Sequence, residues 1–323
     1  ELEKSNKRES LLVVTNYASE YFQKQLHETK EGKAIGLSYF KEREVSSEMI
    51  SKFQLGYNPN SWDAFTKQAL SDSYKKEYLQ ESGLSIFNEK KSFDRFKGRV
   101  MFPIHSISGK VLGFGGRILK QEKNAAKYGN SPESDIYHKS NVLYGIYFAK
   151  QQIIKNDNCY LVEGYTDVIA MHQAGIENVV ASSGTALTIN QIKLIDRFTK
   201  NITILFDGDS AGIKASFRGI DLILKAGMNV KILLFPDGQD PDSFSKKNGD
   251  AKTQEFVKNN TKDFLSFKIE LLKEDVKNDP VKKVEMIKEI VKSIALIPDS
   301  ITQQVYIKES SRLLEISEQE IVK

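Results

Sequence analysis

The stretch from residue 159 to residue 235 alternates between short apolar runs and amphipathic segments, and this alternation constrains the fold more than any other feature. Four apolar runs predict strands at Cys159–Val162, Val179–Ala181, Ile202–Phe206 and Val230–Phe235. Helices are expected between them, at Asp167–Ala174, from Thr188 to about Phe198, and at Ala211–Ala226. Strand–helix–strand units with short connections are typical of an α/β domain with a largely parallel sheet.

Acidic residues follow three of these four predicted strands. Glu163 follows the first strand, Asp207 and Asp209 follow the third, and Asp240 and Asp242 follow the fourth. The carboxyl ends of parallel strands lie along one side of a sheet, where ligands bind, so these side chains are expected to lie close together.

Carboxylates crowded in this way repel one another unless a cation joins them. Mg²⁺ and Mn²⁺ prefer such hard oxygen ligands and complete their coordination with water and phosphate oxygens. Two such ions can support an in-line phosphoryl displacement. Asp, Gly and Pro also favour ordinary turns, but their recurrence at successive strand ends favours a metal site.

Basic residues are concentrated in a separate part of the chain. From Lys90 to Lys127 there are ten Lys or Arg residues against Asp94 and Glu122, although the whole chain has a net charge of only +4. A segregated basic stretch indicates a polyanionic partner such as nucleic acid, or alternatively a solvated surface. The aromatic residues within it suit base stacking or hairpin packing equally well. Trp62 and Phe65, just upstream, are expected to be core residues.

Local patterns predict further elements outside the alternating segment. Residues 9–80 are expected to be mostly helical, and residues 127–144 are expected to form an irregular loop. An extended run from Arg99, a turn at Ser108–Lys110 and a second run from Val111 predict a hairpin. Thr188-Ile-Asn-Gln191 matches a capping box that opens a helix, and Pro280 after Asp279 is expected to start another.

Two of these motifs resemble a known family. Glu163-Gly-Tyr-Thr-Asp167, followed about 40 residues later by Asp207-Gly-Asp-Ser-Ala-Gly212, resembles the TOPRIM signature of bacterial DnaG-type primases, which topoisomerases and some nucleases share. Flanking motifs resemble the primase-specific N-terminal subdomain in order and spacing; they begin at Arg95, Gly113, Lys127, His138 and Leu143. The resemblance extends from about Leu11 to the helical tail, and it points to the RNA polymerase core of such a primase.

The resemblance implies a fold in three parts, α/β overall. A mixed α/β N-terminal subdomain is expected at residues 1–140, a central TOPRIM fold with a largely parallel sheet at 141–250, and a helical C-terminal subdomain at 251–323.

The resemblance also implies roles for individual residues. Glu163, Asp207 and Asp209 would bind metal, with Asp240 and Asp242 in support, and Glu163 would be essential for catalysis. Asp167 would act in the catalytic group by orienting its neighbours. Residues expected to contact the template or the nucleotide are Arg95, Lys97, Arg99, Arg117, Lys127, Asn130 and Lys139.

The activity implied is synthesis of short RNA primers on a single-stranded DNA template from ribonucleoside triphosphates during replication, with Mg²⁺ or, in substitution, Mn²⁺. Zinc is expected only in the family's N-terminal zinc-binding domain, outside this chain. The replicative helicase is expected to be contacted through a C-terminal domain that is also absent. The single Cys159 and the lack of an apolar run near the roughly 20 residues of a membrane span predict a cytoplasmic protein without a membrane partner.

Three other functions remain open from the residues alone. A TOPRIM-type nuclease or a topoisomerase would use the same metal site, although a topoisomerase also needs a nucleophilic Tyr. A haloacid-dehalogenase-like phosphatase also carries Asp-x-Asp after a strand, but here that motif follows the third strand. A non-catalytic single-strand binder would not need the full set of acids. The product and its metal dependence distinguish these activities.

Overall fold

The chain divides into two units in the computed structural model, which describes residues 2–119, 126–207, 210–276 and 279–322. The first unit comprises Glu1–Ala149 with Val168–Gln173, and the second comprises Lys150–Asp167 with Ala174–Lys323. In the described residues, no helix is long and apolar enough to cross a membrane.

The first unit combines helices with an antiparallel sheet. Its elements are α1 (Leu2–Glu28), a π-helix (Gly32–Leu37), α2 (Ser38–Glu42), α3 (Ser47–Lys52), β1 (Gly56–Asn58), α4 (Ala64–Ser71), α5 (Lys76–Glu81), β2 (Ser85–Phe87), β3 (Ser92–Asp94), β4 (Arg99–His105), β5 (Val111–Ile118), β6 (Tyr128–Asn130) and a 3-10 turn (Lys139–Asn141). Helix α6 (Ile146–Asn156) follows.

The predicted hairpin is confirmed as strands β4 and β5 of this sheet. The strand order is β1-β4-β5-β6, and every neighbouring pair is antiparallel. Glycines in β5 lie opposite bulky residues of β4, for example Gly115 opposite Phe102. The apolar face of α1 packs on the sheet, with Phe22 and Phe114 in edge-to-face contact at 5.3 Å. This core fixes the strands that carry the basic residues.

Sequence patterns missed several short elements of this unit. Strand β1 lies within residues 9–80, which were expected to be mostly helical, and β6 lies within a segment expected to be irregular. Strands of three residues are too short to show an alternating pattern, so pairing with a neighbour defines them. The expectation for Trp62 was wrong: its side chain is 55% exposed, whereas Phe65 is fully buried as expected.

The second unit contains the alternating segment. Its elements are β7 (Cys159–Val162), α7 (Tyr165–Gln173, whose later residues belong to the first unit), β8 (Val179–Ala181), α8 (Ile189–Asp196), β9 (Asn201–Phe206), α9 (Ser210–Lys225), β10 (Asn229–Leu234), a 3-10 turn (Pro236–Gly238), α10 (Pro241–Asn248), α11 (Asp250–Asn259), β11 (Lys262–Asp263), α12 (Phe264–Val276), α13 (Pro280–Ala295), α14 (Ser300–Leu314) and α15 (Glu318–Val322).

The sheet of this unit has the order β11-β10-β9-β7-β8, and all pairs are parallel except the two-residue β11. The largely parallel α/β fold expected from the sequence is therefore confirmed. Helix α8 begins with the predicted capping box between Thr188 and Gln191. Parallel strands bring the residues that follow β7, β9 and β10 to one end of the sheet.

Helices α9, α12 and α13 surround one buried cation. Lys268 of α12 is fully buried, and its Nζ lies 2.6 Å from Ser293 Oγ and 3.3 Å from Asp221 Oδ1. Glu289 lies 3.6 Å away. Since Asp221 is on α9 and Ser293 on α13, this lysine joins three helices.

Candidate metal and nucleic-acid sites

Carboxylates that follow two strands, β9 and β10, surround one buried aspartate in the second unit. Asp167, on the first turn of α7, is only 6% exposed. Its Oδ2 accepts a hydrogen bond from the Gly164 N–H at 3.0 Å, and its Oδ1 accepts one from the Asp242 N–H at 3.4 Å. Asp167 therefore ties the turn after β7 to the first turn of α10.

The electrostatics of Asp167 show how closely the other acids approach. Burial raises the pKa of Asp167 well above its usual value, and the charges of Asp240 and Asp207 raise it further. The Gly164 N–H bond partly offsets this, while Asp242 adds to the rise. The acids that follow β9 and β10 thus share one electrostatic environment with Asp167.

Two of these acids also have structural partners. Asp240 caps α10: its side chain accepts from the Ser243 N–H at 2.7 Å, and Ser243 Oγ accepts from the Asp240 N–H at 3.0 Å. Asp242 lies 2.9 Å from Lys246 Nζ, one turn later on the same helix. These contacts position both carboxylates at the end of β10.

Glu163 lies at the carboxyl end of β7, and its side chain is exposed. It lines a cavity of about 400 Å³ together with residues of the loop after β8, the end of β9 and helix α9, including Thr185, Phe206 and Arg218. This cavity gives a substrate group room beside Glu163.

The donor set fits a divalent metal ion in its chemistry and charge. Carboxylate oxygens are the ligands that Mg²⁺ and Mn²⁺ prefer. The pKa of Asp167 is raised first by burial and then by the negative charges of Asp240 and Asp207, and a cation would offset those charges. Within the described part of the chain, however, no three His, Cys, Asp or Glu side chains converge closely enough to form a complete metal site. Asp209, a predicted ligand, lies outside the described residues.

The predicted nucleic-acid residues all belong to the first unit, on or beside its strands. Arg95 and Lys97 lie in the turn between β3 and β4, Lys127 and Asn130 lie at β6, and Lys139 lies in the 3-10 turn. Arg95 and Lys127 are exposed, and the other three are partly exposed. The backbone N–H of Lys139 donates to Glu133 Oε1 at 3.0 Å, which fixes that turn.

Arg99 has a structural role that its sequence position does not reveal. Its guanidinium donates to the backbone carbonyls of Gly116 at 3.0 Å and Ala126 at 3.2 Å, and more weakly to Lys127 at 3.4 Å. These bonds join β4 to β5 and to the chain that enters β6. The guanidinium is therefore held by the protein's own backbone.

Arg117 lies between two tyrosines. Its guanidinium carbon is 4.7 Å from the centre of the Tyr39 ring and 5.7 Å from that of Tyr128, and one of its nitrogens donates to the Tyr39 hydroxyl. This arrangement holds the planar guanidinium in one orientation. Sequence patterns did not reveal Tyr39, because no local pattern relates it to a residue 78 positions away.

Family models match most of the chain. The model described as the N-terminal domain of the DNA primase catalytic core matches residues 21–150, and a Toprim-like model matches 160–245. A third, described as the DnaB-helicase binding domain of primase, matches 265–319. This last match contradicts the expectation that the helicase-contacting domain is absent from the chain.

Curated proteins with similar sequences include DNA primases of Clostridium acetobutylicum, 38% identical over 98% of this chain and 52% of the relative, and of Halalkalibacterium halodurans, 37% identical over 97% and 53%. The chain thus spans about half the length of these relatives.

Solved structures with similar folds include the zinc-binding and RNA polymerase domains of the Aquifex aeolicus primase. The TM-score is 0.86 at 32% identity, over 99% of this chain and 76% of that one. A DnaG primase catalytic domain bound to single-stranded DNA matches with a TM-score of 0.87 at 30% identity, over 98% and 99% of the two chains.

Proposed function

This chain belongs to the bacterial DnaG-type DNA primases, and we propose that it is the part that joins ribonucleotides into short RNA primers on single-stranded DNA during replication. The observation that carries this proposal is the gathering of Asp207, Asp240 and Asp242 around the buried Asp167. Such a group of carboxylates beside the carboxyl end of a parallel sheet, where ligands bind, supports metal-binding chemistry there.

The reaction forms a bond between a ribose 3′-oxygen and the α-phosphorus of an incoming ribonucleoside triphosphate. The bond from that phosphorus to the β-phosphate oxygen breaks, pyrophosphate leaves, and the hydroxyl proton passes to solvent. A Toprim-like domain implies a divalent metal ion, and we propose Mg²⁺, with Mn²⁺ able to substitute. When bound, it neutralises charge on the triphosphate and assists removal of the hydroxyl proton.

The chain's own residues have distinct tasks in this proposal. Glu163, Asp207 and Asp209 hold the metal, supported by Asp240 and Asp242. Asp167 holds the turn at Gly164 and the start of α10, so that ligands on β7 and β10 keep their positions. Positioning and charge neutralisation account for catalysis of this kind without a dedicated protein base.

The basic residues of the first unit bind the polyanionic substrates. We assign Arg95, Lys97, Lys127, Asn130 and Lys139 to contacts with template phosphates or the incoming nucleotide. Arg117, held by Tyr39 and Tyr128, offers a planar group suited to bidentate phosphate binding. We assign Arg99 to support of this surface, since its guanidinium is hydrogen-bonded to backbone carbonyls.

The wider assignments rest on the family. We propose subdomains at residues 1–140, 141–250 and 251–323, a cytoplasmic location, and a replicative helicase as partner. The match of residues 265–319 to a helicase-binding domain model supports that partner. In this family, zinc would belong to a separate zinc-binding domain, such as the one in the Aquifex aeolicus primase.

The test is incorporation of labelled ribonucleotides on a single-stranded DNA template with Mg²⁺ or Mn²⁺, and extension of a pre-annealed RNA primer. Wild type should produce RNA only with metal, and Asp207→Ala and Glu163→Gln should produce none while still binding DNA. Glu255→Gln, an exposed acid on α11, is the matched control and should retain activity. Metal-dependent cleavage of the DNA without RNA synthesis would instead indicate a nuclease.

A further inference from the structure

Trp62 is the only tryptophan of the chain, and its side chain is 55% exposed. It lies in the first unit, between β1 and α4, three residues before the fully buried Phe65. Exposure of a single apolar side chain does not by itself assign a role. The surroundings of Trp62 indicate a role, because its backbone is held by hydrogen bonds and the ammonium group of Lys97 lies over its ring.

The backbone at Trp62 is fixed on both sides. Its carbonyl accepts a hydrogen bond from the Asp94 N–H at 2.9 Å, and nearby the Gly98 N–H donates to the Pro59 carbonyl at 3.1 Å. The buried Asp94 carboxylate in turn accepts from the Phe65 and Thr66 N–H groups at the start of α4. The loop that carries Trp62 is therefore tied to the turn between β3 and β4.

That turn supplies the groups that contact the ring. Lys97 Nζ lies 4.6 Å from the ring centre, in a cation–π arrangement, and the Phe93 ring is 5.7 Å away. These contacts restrain the indole without burying it. A restrained aromatic side chain loses little conformational freedom when another flat group stacks on it.

The charge around this ring suits a polyanion. The turn carries Arg95 and Lys97, whereas the carboxylate of Asp94 is buried and hydrogen-bonded to α4. The carboxylate of Asp63, next to Trp62 in the chain, lies 3.1 Å from Lys67 Nζ. Proteins that bind single-stranded nucleic acid combine basic residues, which contact the phosphates, with exposed aromatic rings. Bases stack on these rings regardless of sequence.

We propose that Trp62 is a stacking platform for an unpaired base of the single-stranded DNA, with Lys97 on the adjacent phosphate. This inference rests on the proposed function and adds to it a base-contacting residue at this turn. Stacking would hold the strand without reading its sequence, which suits a template whose sequence varies.

The first experiment uses the tryptophan itself as the probe. Binding of the full chain to an end-labelled oligo-dT is followed by anisotropy, and indole emission is recorded in the same titration. If Trp62 stacks on a base, its emission changes in parallel with binding, and an abasic oligonucleotide of equal length produces a much smaller change. Unchanged emission while oligo-dT binds would overturn the proposal.

The second experiment separates base contact from charge. Trp62→Ala should weaken oligo-dT binding about tenfold but change abasic binding less than about twofold, and Trp62→Phe should restore part of the loss. Lys97→Met should weaken both ligands alike and lower the salt dependence. Val13→Ala, an exposed apolar residue of the same unit, is the control and should change neither.

The outcomes distinguish this inference from the proposed function. If wild type makes RNA on the template while Trp62→Ala binds both oligonucleotides as wild type does, stacking is refuted and the primase assignment stands. If wild type binds no single-stranded DNA, both fail. If Trp62→Ala loses binding to single-stranded RNA but binds single-stranded DNA as wild type does, Trp62 does not contact the DNA template and the proposal is refuted.

Discussion

Lys268 and Asp221 form an asymmetric ion pair: the lysine side chain is fully buried, whereas 29% of the aspartate side chain is exposed, and Nζ lies 3.3 Å from Oδ1. Ser293 Oγ bridges them, donating to Asp221 Oδ1 at 2.6 Å. The ammonium depends on these partners for its solvation, but the carboxylate retains some contact with water. The two partners should therefore differ in how much stability is lost on removal.

We expect Asp221→Ala to lower the free energy of unfolding of the second unit by about 3 kcal/mol, because it leaves a buried ammonium with fewer partners. Lys268→Met should cost less than half of that, since it leaves a partly hydrated carboxylate and restores an apolar side chain of similar length. Urea denaturation measures both, with Lys288→Met on the exposed side of α13 as control. Equal losses would contradict the asymmetry.

His105 should make the first unit sensitive to acid. It is 4% exposed, its Nε2 lies 2.9 Å from Gln54 Oε1, and burial lowers its pKa to about 4 from 6.5. Between pH 4 and pH 6.5 the unfolded chain binds more protons at His105 than the folded chain does. The contribution of the neutral His105 to the free energy of unfolding is therefore fully present above pH 6.5 and is lost as the pH falls towards 4.

The expected loss between pH 7 and pH 5 is about 2 kcal/mol. Urea midpoints at the two pH values test it. His105→Gln should show a smaller change with pH, whereas His27→Gln, at an exposed position on α1, should behave as wild type. A His105→Gln profile identical to that of wild type would show that another group titrates.

Arg99 and Lys127 should have different roles: Arg99 supports the fold of the first unit, and Lys127 contacts DNA. Arg99→Ala removes hydrogen bonds from three backbone carbonyls and should cost about 2 kcal/mol of stability while leaving the salt dependence of DNA binding close to that of wild type. Lys127→Ala, at an exposed position, should keep stability and reduce the slope of log K against log salt by about 0.7. Denaturation and salt titrations decide between the two roles.

Asp240 caps helix α10 and also carries a negative charge that could support a metal ion. Two substitutions can separate these two roles. Asp240→Asn keeps an acceptor for the Ser243 N–H, so stability should be retained, whereas Asp240→Ala should cost about 1 kcal/mol. If Asp240 supports the metal, both variants should weaken Mn²⁺ binding about tenfold in calorimetric titrations. Normal affinity in Asp240→Asn would restrict this residue to capping.

The sequence predicted best what depends on neighbours along the chain. Strands β7 and β8 begin and end where the apolar runs do, Thr188 caps helix α8, and helix α13 begins at Pro280, all as expected. The gathering of acids at the strand ends follows from the parallel topology alone. Each of these inferences needed only local periodicity or a general property of parallel sheets.

Features that depend on distant residues were not predictable. Lys268 lies among apolar neighbours on α12, which is a signal, but its partners come from α9 and α13. Trp62 and Phe65 look alike in sequence, and only the packing of α4 buries one and exposes the other. The hydrogen bonds of Arg99 to strand carbonyls exist only in the folded hairpin, so its position in the sequence does not reveal them.

The parallel sheet also limits how copies of the chain can associate. Its outermost strands are β8, with three residues, and β11, with two, one of them Lys262. An outer strand exposes unpaired N–H and C=O groups that can recruit another chain, and short or charged outer strands offer few of them. Lateral growth of this sheet into intermolecular β-structure is thereby disfavoured.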